Sequence, residues 1–225
     1  MNRGTNPAGR TRFVDSDHPE IVALARDRTA GAGDEVDAAV RLYYAVRDEI
    51  RYDPYVNLST PDTFRASTCL AVRRGYCVGK ASLLTALAKA AGLDARIGFA
   101  DVRNHLATPR LRALMGTDTF HYHGYTEFAF GDRRVKATPA FNLTLCEKFG
   151  VLPLEFDGQE DALFHPFDEA GRRHMEYLDD RGTYDDVPYE EIQAAMRAAY
   201  PRLFAEYDAE REGVFEEEAE AERRI

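Results

Sequence analysis

Tryptophan is absent from this chain of 225 residues, and cysteine is scarce, with only Cys69, Cys77 and Cys146. So odd and sparse a set excludes a disulfide framework, and the eight-residue step between the first two fits no common zinc knuckle. Long apolar runs are missing as well. No stretch approaches the roughly 20 residues of a bilayer-spanning helix, and the polar segment Met1–Arg12 lacks the apolar core of a secretory signal. Positive charge is in deficit, with 29 Lys and Arg against 39 Asp and Glu and a net charge of −10. That balance excludes a general nucleic-acid-binding face. These absences together give the expectation of a soluble protein in a reducing, cytoplasmic setting, with no nucleic-acid or membrane partner.

What is present supports a sizeable core. Hydrophobic residues make up 44%, and 13 Phe and 12 Tyr stand in for the missing Trp. The length allows one domain with additions. The division expected is a flexible tail over 1–12, a core over 13–150, an irregular arm over 151–187 packed on that core, and a C-terminal helix with an acidic tail over 188–225. Phe156, Phe164, Phe167, Met175, Tyr177 and Leu178 are the expected anchors of the arm.

The chemistry gathers at Arg74-Gly75-Tyr76-Cys77-Val78-Gly79-Lys80-Ala81. From Cys77 onward Ala81, Leu83, Leu84, Leu87, Ala88 and Ala91 form an apolar stripe at helical spacing, ended by Gly92. A cysteine at a helix N-terminus meets unpaired N–H groups and the positive end of the helix dipole, both of which favour the nucleophilic thiolate. Cys69, in a short preceding helix, reads as packed.

Alternation over Ala95–Ala100 predicts a strand. Tyr122–Phe130 and Arg133–Ala137 read as a hairpin around Gly131-Asp132. Short helices are expected at Pro109–Met115 and Leu143–Phe149, and a longer one from Pro188 to Tyr200. Helices first and strands later point to an α+β arrangement rather than repeated βαβ units. A thiol nucleophile needs an imidazole to take its proton and return it to the leaving group. His123 on the second strand is the candidate. His121, two residues earlier, would share its face in a regular strand and is a substrate contact or an alternative base. Metal sites built from His121, His123 and Cys77, or from His165 and His174, lack a recognised second half. Neither metal nor cofactor is expected.

These pieces, in this order, resemble the transglutaminase-like superfamily with its papain-like Cys–His–Asp core, over roughly residues 40–142. Gly75-Tyr76-Cys77 with Ala81, Leu84 and Ala88 is similar to the nucleophile helix, and Gly92-Leu93-Asp94-Ala95-Arg96 to the strand entry that follows it. His123-Gly124-Tyr125-Thr126-Glu127 resembles the histidine strand, written H-x-W-x-E. Arg134-Val135-Lys136-Ala137-Thr138-Pro139 stands where the family shows W-V-x-x-D-P. The resemblance implies a central nucleophile helix packed against an antiparallel sheet, with helical N- and C-terminal additions. It also implies Cys77 as nucleophile and His123 as base, and puts Thr138 at the position of the acid. A hydroxyl there can hold a tautomer but cannot balance an imidazolium charge. Three outcomes follow: Thr138 orients neutral His123, a carboxylate from elsewhere (Asp157, Asp161 or Asp168) substitutes, or catalysis is impaired. Tyr76 and Asn142 are candidate oxyanion or substrate contacts.

The implied activity is cysteine-dependent acyl transfer on a peptide or glutamine-like amide, hydrolytic rather than cross-linking. The alternative is a catalytically impaired member of the fold acting as a binding or scaffold module. A homodimer through the C-terminal helix is compatible with both.

Overall fold

A computed structural model describes residues 11–105, 107–163 and 175–207. Its centre is the helix that the apolar stripe predicts, α4 (Cys77–Ala90), whose residues from Cys77 to Ala88 are all buried. A helix apolar on every side must be enclosed on every side. On one flank stand α1 (Pro19–Thr29), α2 (Glu35–Glu49) and α3 (Ala66–Val72), and on the other a four-stranded sheet.

That sheet has the order β5-β4-β3-β6 and is antiparallel throughout. It comprises β3 (Asp94–Asn104), β4 (Thr119–Phe130), β5 (Arg133–Ala137) and β6 (Met175–Tyr184). The expected hairpin joins β4 to β5, with Gly131 at φ 62 as the first of two turn residues. That backbone region costs glycine nothing and lets the turn match the twist of the strands. One face of β4 lies on α4. The Thr126 hydroxyl meets Ala81 O at 3.2 Å and Thr85 Oγ1 at 2.9 Å, and Phe128 is fully buried. The other face carries a small cluster of Ala100, Val102 and Tyr125.

A two-stranded parallel ladder, β1 (Arg51–Tyr52) with β2 (Arg74–Gly75), brings the chain to the start of α4. Lys80, one turn into the helix and fully buried, donates to Arg47 O at 2.9 Å and Ile50 O at 2.6 Å. It thereby satisfies the last carbonyls of α2, which have no partner within their own helix. The helices α5 (Pro109–Met115), α6 (Leu143–Phe149), α7 (Tyr189–Ala199) and α8 (Pro201–Tyr207) complete the fold. Among the described residues no helix is long and apolar enough to cross a membrane.

The structure departs from expectation in three places. β3 and β4 run several residues past their expected ends, to Asn104 and from Thr119. Residues 175–184, expected to be irregular, form the edge strand β6, on which Tyr177 and Leu178 are exposed rather than anchoring. Arg12 and Phe13 are tied down by N–H bonds to the Asp186 carboxylate, so the expected tail does not extend to residue 12. The remainder of that tail, the acidic run after 207, and Phe164, His165, Phe167, Asp168 and His174 lie outside the described residues.

Candidate active site

Cys77 is the first residue of α4, delivered by Tyr76 in extended conformation (φ −87°, ψ −177°). Three backbone N–H groups converge on its sulfur, from Gly124, Val78 and Cys77 itself. Two belong to the helix start, and the third comes from β4, which approaches α4 closely because residue 124 has no side chain. A Cβ there would lie 2.9 Å from Val78 Cα and 3.1 Å from both Ala81 Cβ and Cys77 O. The N–H groups pull toward the thiolate, as the helix N-terminus leads one to expect, but burial outweighs them. Desolvation pushes the thiol up to about 11. At neutral pH Cys77 is therefore a protonated thiol that needs a base. Cys69 and Cys146 are also free and buried, and burial pushes each up to about 12.

Cys77 and Tyr76 line a small cavity of about 40 Å³ together with His121. Its remaining wall is apolar or aromatic, including Tyr52, Phe120 and Met115. The C-terminal helices contribute Met196, Tyr200 and Leu203. No residue of 151–163 reaches it, so among the described residues the cover over the cysteine comes from the C-terminal helices and α5.

His121 and His123 do not share this cavity, because β4 is bulged between them. Ala100 pairs with His123, but Val102 pairs with Phe120, so Asp101 stands opposite both His121 and Tyr122. Tyr122 takes φ 56, a left-handed conformation that costs a non-glycine residue about 1–2 kcal/mol. The extra residue breaks the two-residue alternation from which one shared face is expected.

Asp101 occupies the notch of the bulge and is 6% exposed. Its Oδ1 accepts the Tyr122 N–H at 3.1 Å and Arg181 Nε at 2.6 Å, and its Oδ2 accepts Arg181 Nη2 at 2.7 Å. Oδ2 also lies 2.8 Å from His121 Nδ1. Burial alone would raise this carboxyl. The Arg181 fork, His121 and the Tyr122 N–H overcome that and hold it below the usual carboxylate range. An ionised carboxylate can only accept, so Nδ1 of His121 is the donor in this contact. The backbone N–H of His121 donates to Tyr200 Oη at 2.6 Å, and the Tyr200 hydroxyl donates onward to Thr119 O at 3.0 Å. The Tyr200 ring stacks on the imidazole with 6.0 Å between centroids.

The other expected site residues are not among those that line the cavity. His123 is 5% exposed, paired across the ladder with Ala100. Thr138 is buried, and its hydroxyl has no hydrogen-bond partner among the described residues. Its N–H donates to Ala162 O at 2.7 Å. Asn142 directs its amide to structure, accepting the Tyr52 N–H at 2.9 Å and donating to Thr144 Oγ1 at 2.7 Å. Of the candidate substitute carboxylates, Asp157 accepts the N–H groups of Gln159 and Glu160, and Asp161 accepts that of Lys136. Asp101 was not among the expected residues, although an acid inside the apolar run Ile97 to Val102 is a visible signal. Among the described residues no group of three or more His, Cys, Asp or Glu could hold a metal ion.

A helix-borne cysteine buried against an antiparallel sheet, with imidazole on the neighbouring strand, defines a papain-like α+β fold. The chain belongs to the transglutaminase-like superfamily, whose family pattern matches residues 22–139. No curated protein matches it. Among solved structures it is similar to a Cytophaga hutchinsonii protein described as a "putative cysteine protease", with 16% identity and a TM-score of 0.45. It is also similar to one from Parabacteroides distasonis described as a "putative protease", with 18% identity and a TM-score of 0.39. The matches cover 78% and 56% of this chain but only 51% and 24% of those proteins, so the chain spans about half of the first and a quarter of the second.

Proposed function

We propose that the chain is a cysteine-dependent acyl-transfer enzyme acting on a peptide or glutamine-like amide in the cytoplasm, with water as the preferred acceptor. The observation that carries this reading is the convergence of three N–H groups on the Cys77 sulfur in a cavity that also holds an imidazole. The thiol passes its proton to an imidazole of β4, His123 by the family's order or His121 by position in the cavity. The sulfur then adds to the amide carbon, and N–H groups at the head of α4 stabilise the oxyanion, an effect worth about 10²–10³ in rate per donor. Collapse breaks the C–N bond, and the departing amine takes the imidazole's proton. Water, deprotonated by the same ring, attacks the thioester to release the acid and restore the thiol. The narrow, largely apolar cavity favours water over a second protein side chain as acceptor.

One observation favours a different reading. Cys77 is 7% exposed and its thiol is protonated at neutral pH, as in a fold that has kept its shape and lost its chemistry. Incubation with glutaminyl peptides in the presence of a primary amine separates the cases. Release of ammonia with a free carboxylate product, abolished in Cys77→Ala, is the expected result. Amide-linked product would shift the reading to cross-linking. Absence of turnover by wild type across a broad peptide set would favour the binding module.

A further inference from the structure

Resting on the cysteine-enzyme reading above, we infer that α8 is an autoinhibitory cover over Cys77. It is hinged at Tyr200-Pro201 and swings aside to admit a peptide, so the structure shows the closed form of the site.

The need for movement comes from size. Cys77 is 7% exposed, and the cavity it borders holds about 40 Å³. That is roughly a quarter of a 150 Å³ cavity that takes a six-carbon benzene ring, so there is room for about one or two carbons. A peptide amide brings a carbonyl, a departing amine and the chain on either side of them. Part of the wall has to yield before such a group reaches the sulfur.

Most of the wall is fixed. Cys77 and Tyr76 stand at the head of α4, which is enclosed on every side. α5 lies in the connection between β3 and β4, and Thr108 caps it by accepting the Leu111 N–H at 3.2 Å. α7 is fastened to the core: the Gln193 amide donates to Leu58 O, the Tyr189 hydroxyl donates to Ser59 O at 3.2 Å, and Ile192 is fully buried. Its last contact is Tyr200, whose hydroxyl takes the His121 N–H and gives to Thr119 O, and whose ring stacks on the imidazole.

α8 is held differently. It is about two turns long and begins at Pro201, directly after Tyr200 has left helical geometry (φ −127°, ψ 55°). Leu203 and Phe204 are the side chains it buries, and its neighbour is α5. An attachment made by so few apolar side chains belongs to the part of a fold that opens first. With Tyr200 pinned to β4, the break at Pro201 lets α8 move without disturbing the strand that carries the histidines. Leu203 is the residue through which α8 reaches the cavity, so its withdrawal enlarges the space beside the sulfur. The family pattern ends at residue 139, well before α8, so the cover is an addition to the part of the chain that carries Cys77 and both β4 histidines.

The test compares two probes on the full chain: p-nitrophenyl acetate, which is small, and the p-nitrophenyl ester of acetyl-trialanine. Acyl-Cys77 is quantified by mass spectrometry, and each rate is divided by that of N-acetylcysteine with the same ester to remove intrinsic reactivity. In the wild type the peptide ester should react at least about tenfold more slowly than the acetate, since its rate is scaled by the fraction of molecules that are open. Leu203→Asp places a charge in the apolar wall and should drive α8 off, raising the peptide rate at least about tenfold and the acetate rate much less. Leu203→Val, a milder change, should move the ratio the same way and keeps the comparison available if Leu203→Asp fails to fold in thermal melts. Arg202→Ala, an exposed change on the same helix, should leave the ratio where it is. A general loosening would instead expose Cys69 and Cys146 to acylation as well. Equal wild-type rates for the two probes, or a ratio that neither Leu203 variant moves, would overturn the cover and leave Cys77 a nucleophile. No acyl-Cys77 in the wild type or in either Leu203 variant would end the cysteine-enzyme reading, and the cover with it.

Discussion

β4 approaches the head of α4 closely at Gly124, and that contact supports a quantitative prediction. Replacing Gly124 by alanine adds one Cβ, which would sit 2.9 Å from Val78 Cα and 3.1 Å from Cys77 O and Ala81 Cβ. Two of those atoms are backbone and the third is a methyl group on a fixed helix, so no rotamer change relieves the contact. Relief requires strand and helix to part by several tenths of an ångström. Overpacking of this kind costs about 1–3 kcal/mol. For a domain of this size each kcal/mol lowers Tm by about 2–4 °C, so a fall of about 2–12 °C is expected. The same displacement carries the Gly124 N–H away from the Cys77 sulfur, and a fall in cysteine acylation should accompany it, because one of the three groups that favour the thiolate is withdrawn. Gly33→Ala is the control. Its added carbon meets nothing nearer than Asp37 Oδ2 at 4.0 Å, and its stability should stay within about 0.5 kcal/mol of wild type. Urea and thermal unfolding with parallel acylation kinetics would decide. A Gly124→Ala protein as stable and as reactive as the wild type would refute the placement of β4 on α4.

Two other perturbations follow from the same packing. Burial pushes the Lys80 ammonium down to about 7 from its usual 10.5, so between those pH values the unfolded chain binds the extra proton. Stability from this group therefore rises with pH across that window, by at most about 1.4 kcal/mol per unit, and urea midpoints at pH 7 and 9 should show a slope that Lys80→Met removes. Leu203→Ala takes a buried side chain out of the cavity wall, which should cost about 2–5 kcal/mol and speed iodoacetamide labelling of Cys77 relative to Cys69 and Cys146. Equal labelling in wild type and variant would mean that α8 does not cover the cysteine.

Legibility in the sequence divides along physical lines. The central helix was readable because its apolar residues recur at helical spacing and its ends carry glycine. The β4–β5 hairpin was readable because Gly131-Asp132 can form few other turns. β6 was not, because an edge strand with both faces largely exposed has no alternation to display. Met175 to Tyr184 carries Asp179, Asp180 and Arg181 at its middle, charges that suit an unpaired edge. The candidate site was half legible. Cys77 and Tyr76 stand at the helix start and line the cavity, and so does His121, which the sequence offers as a substrate contact or an alternative base. Asp101 was missed because a charge after Ala100 reads as the end of a strand, whereas here it fills a bulge. The bulge itself leaves almost no trace, since the residue in the left-handed conformation is a tyrosine rather than a glycine. The protonated state of Cys77 was hidden for a related reason. The helix N-terminus is written in the sequence, but the depth of burial that overrides it arises only when α5, α7 and α8 come together around it.

The central claim is that Cys77 is a nucleophile toward acyl carbon. Its most direct test is intact-protein and peptide mass spectrometry of the wild type after brief exposure to p-nitrophenyl acetate at neutral pH. The account predicts a single acetyl group, carried as a thioester on Cys77, labile to hydroxylamine and absent in Cys77→Ala. Acetyl groups spread over lysines and hydroxyls, or placed on Cys69 or Cys146 as readily as on Cys77, would contradict it.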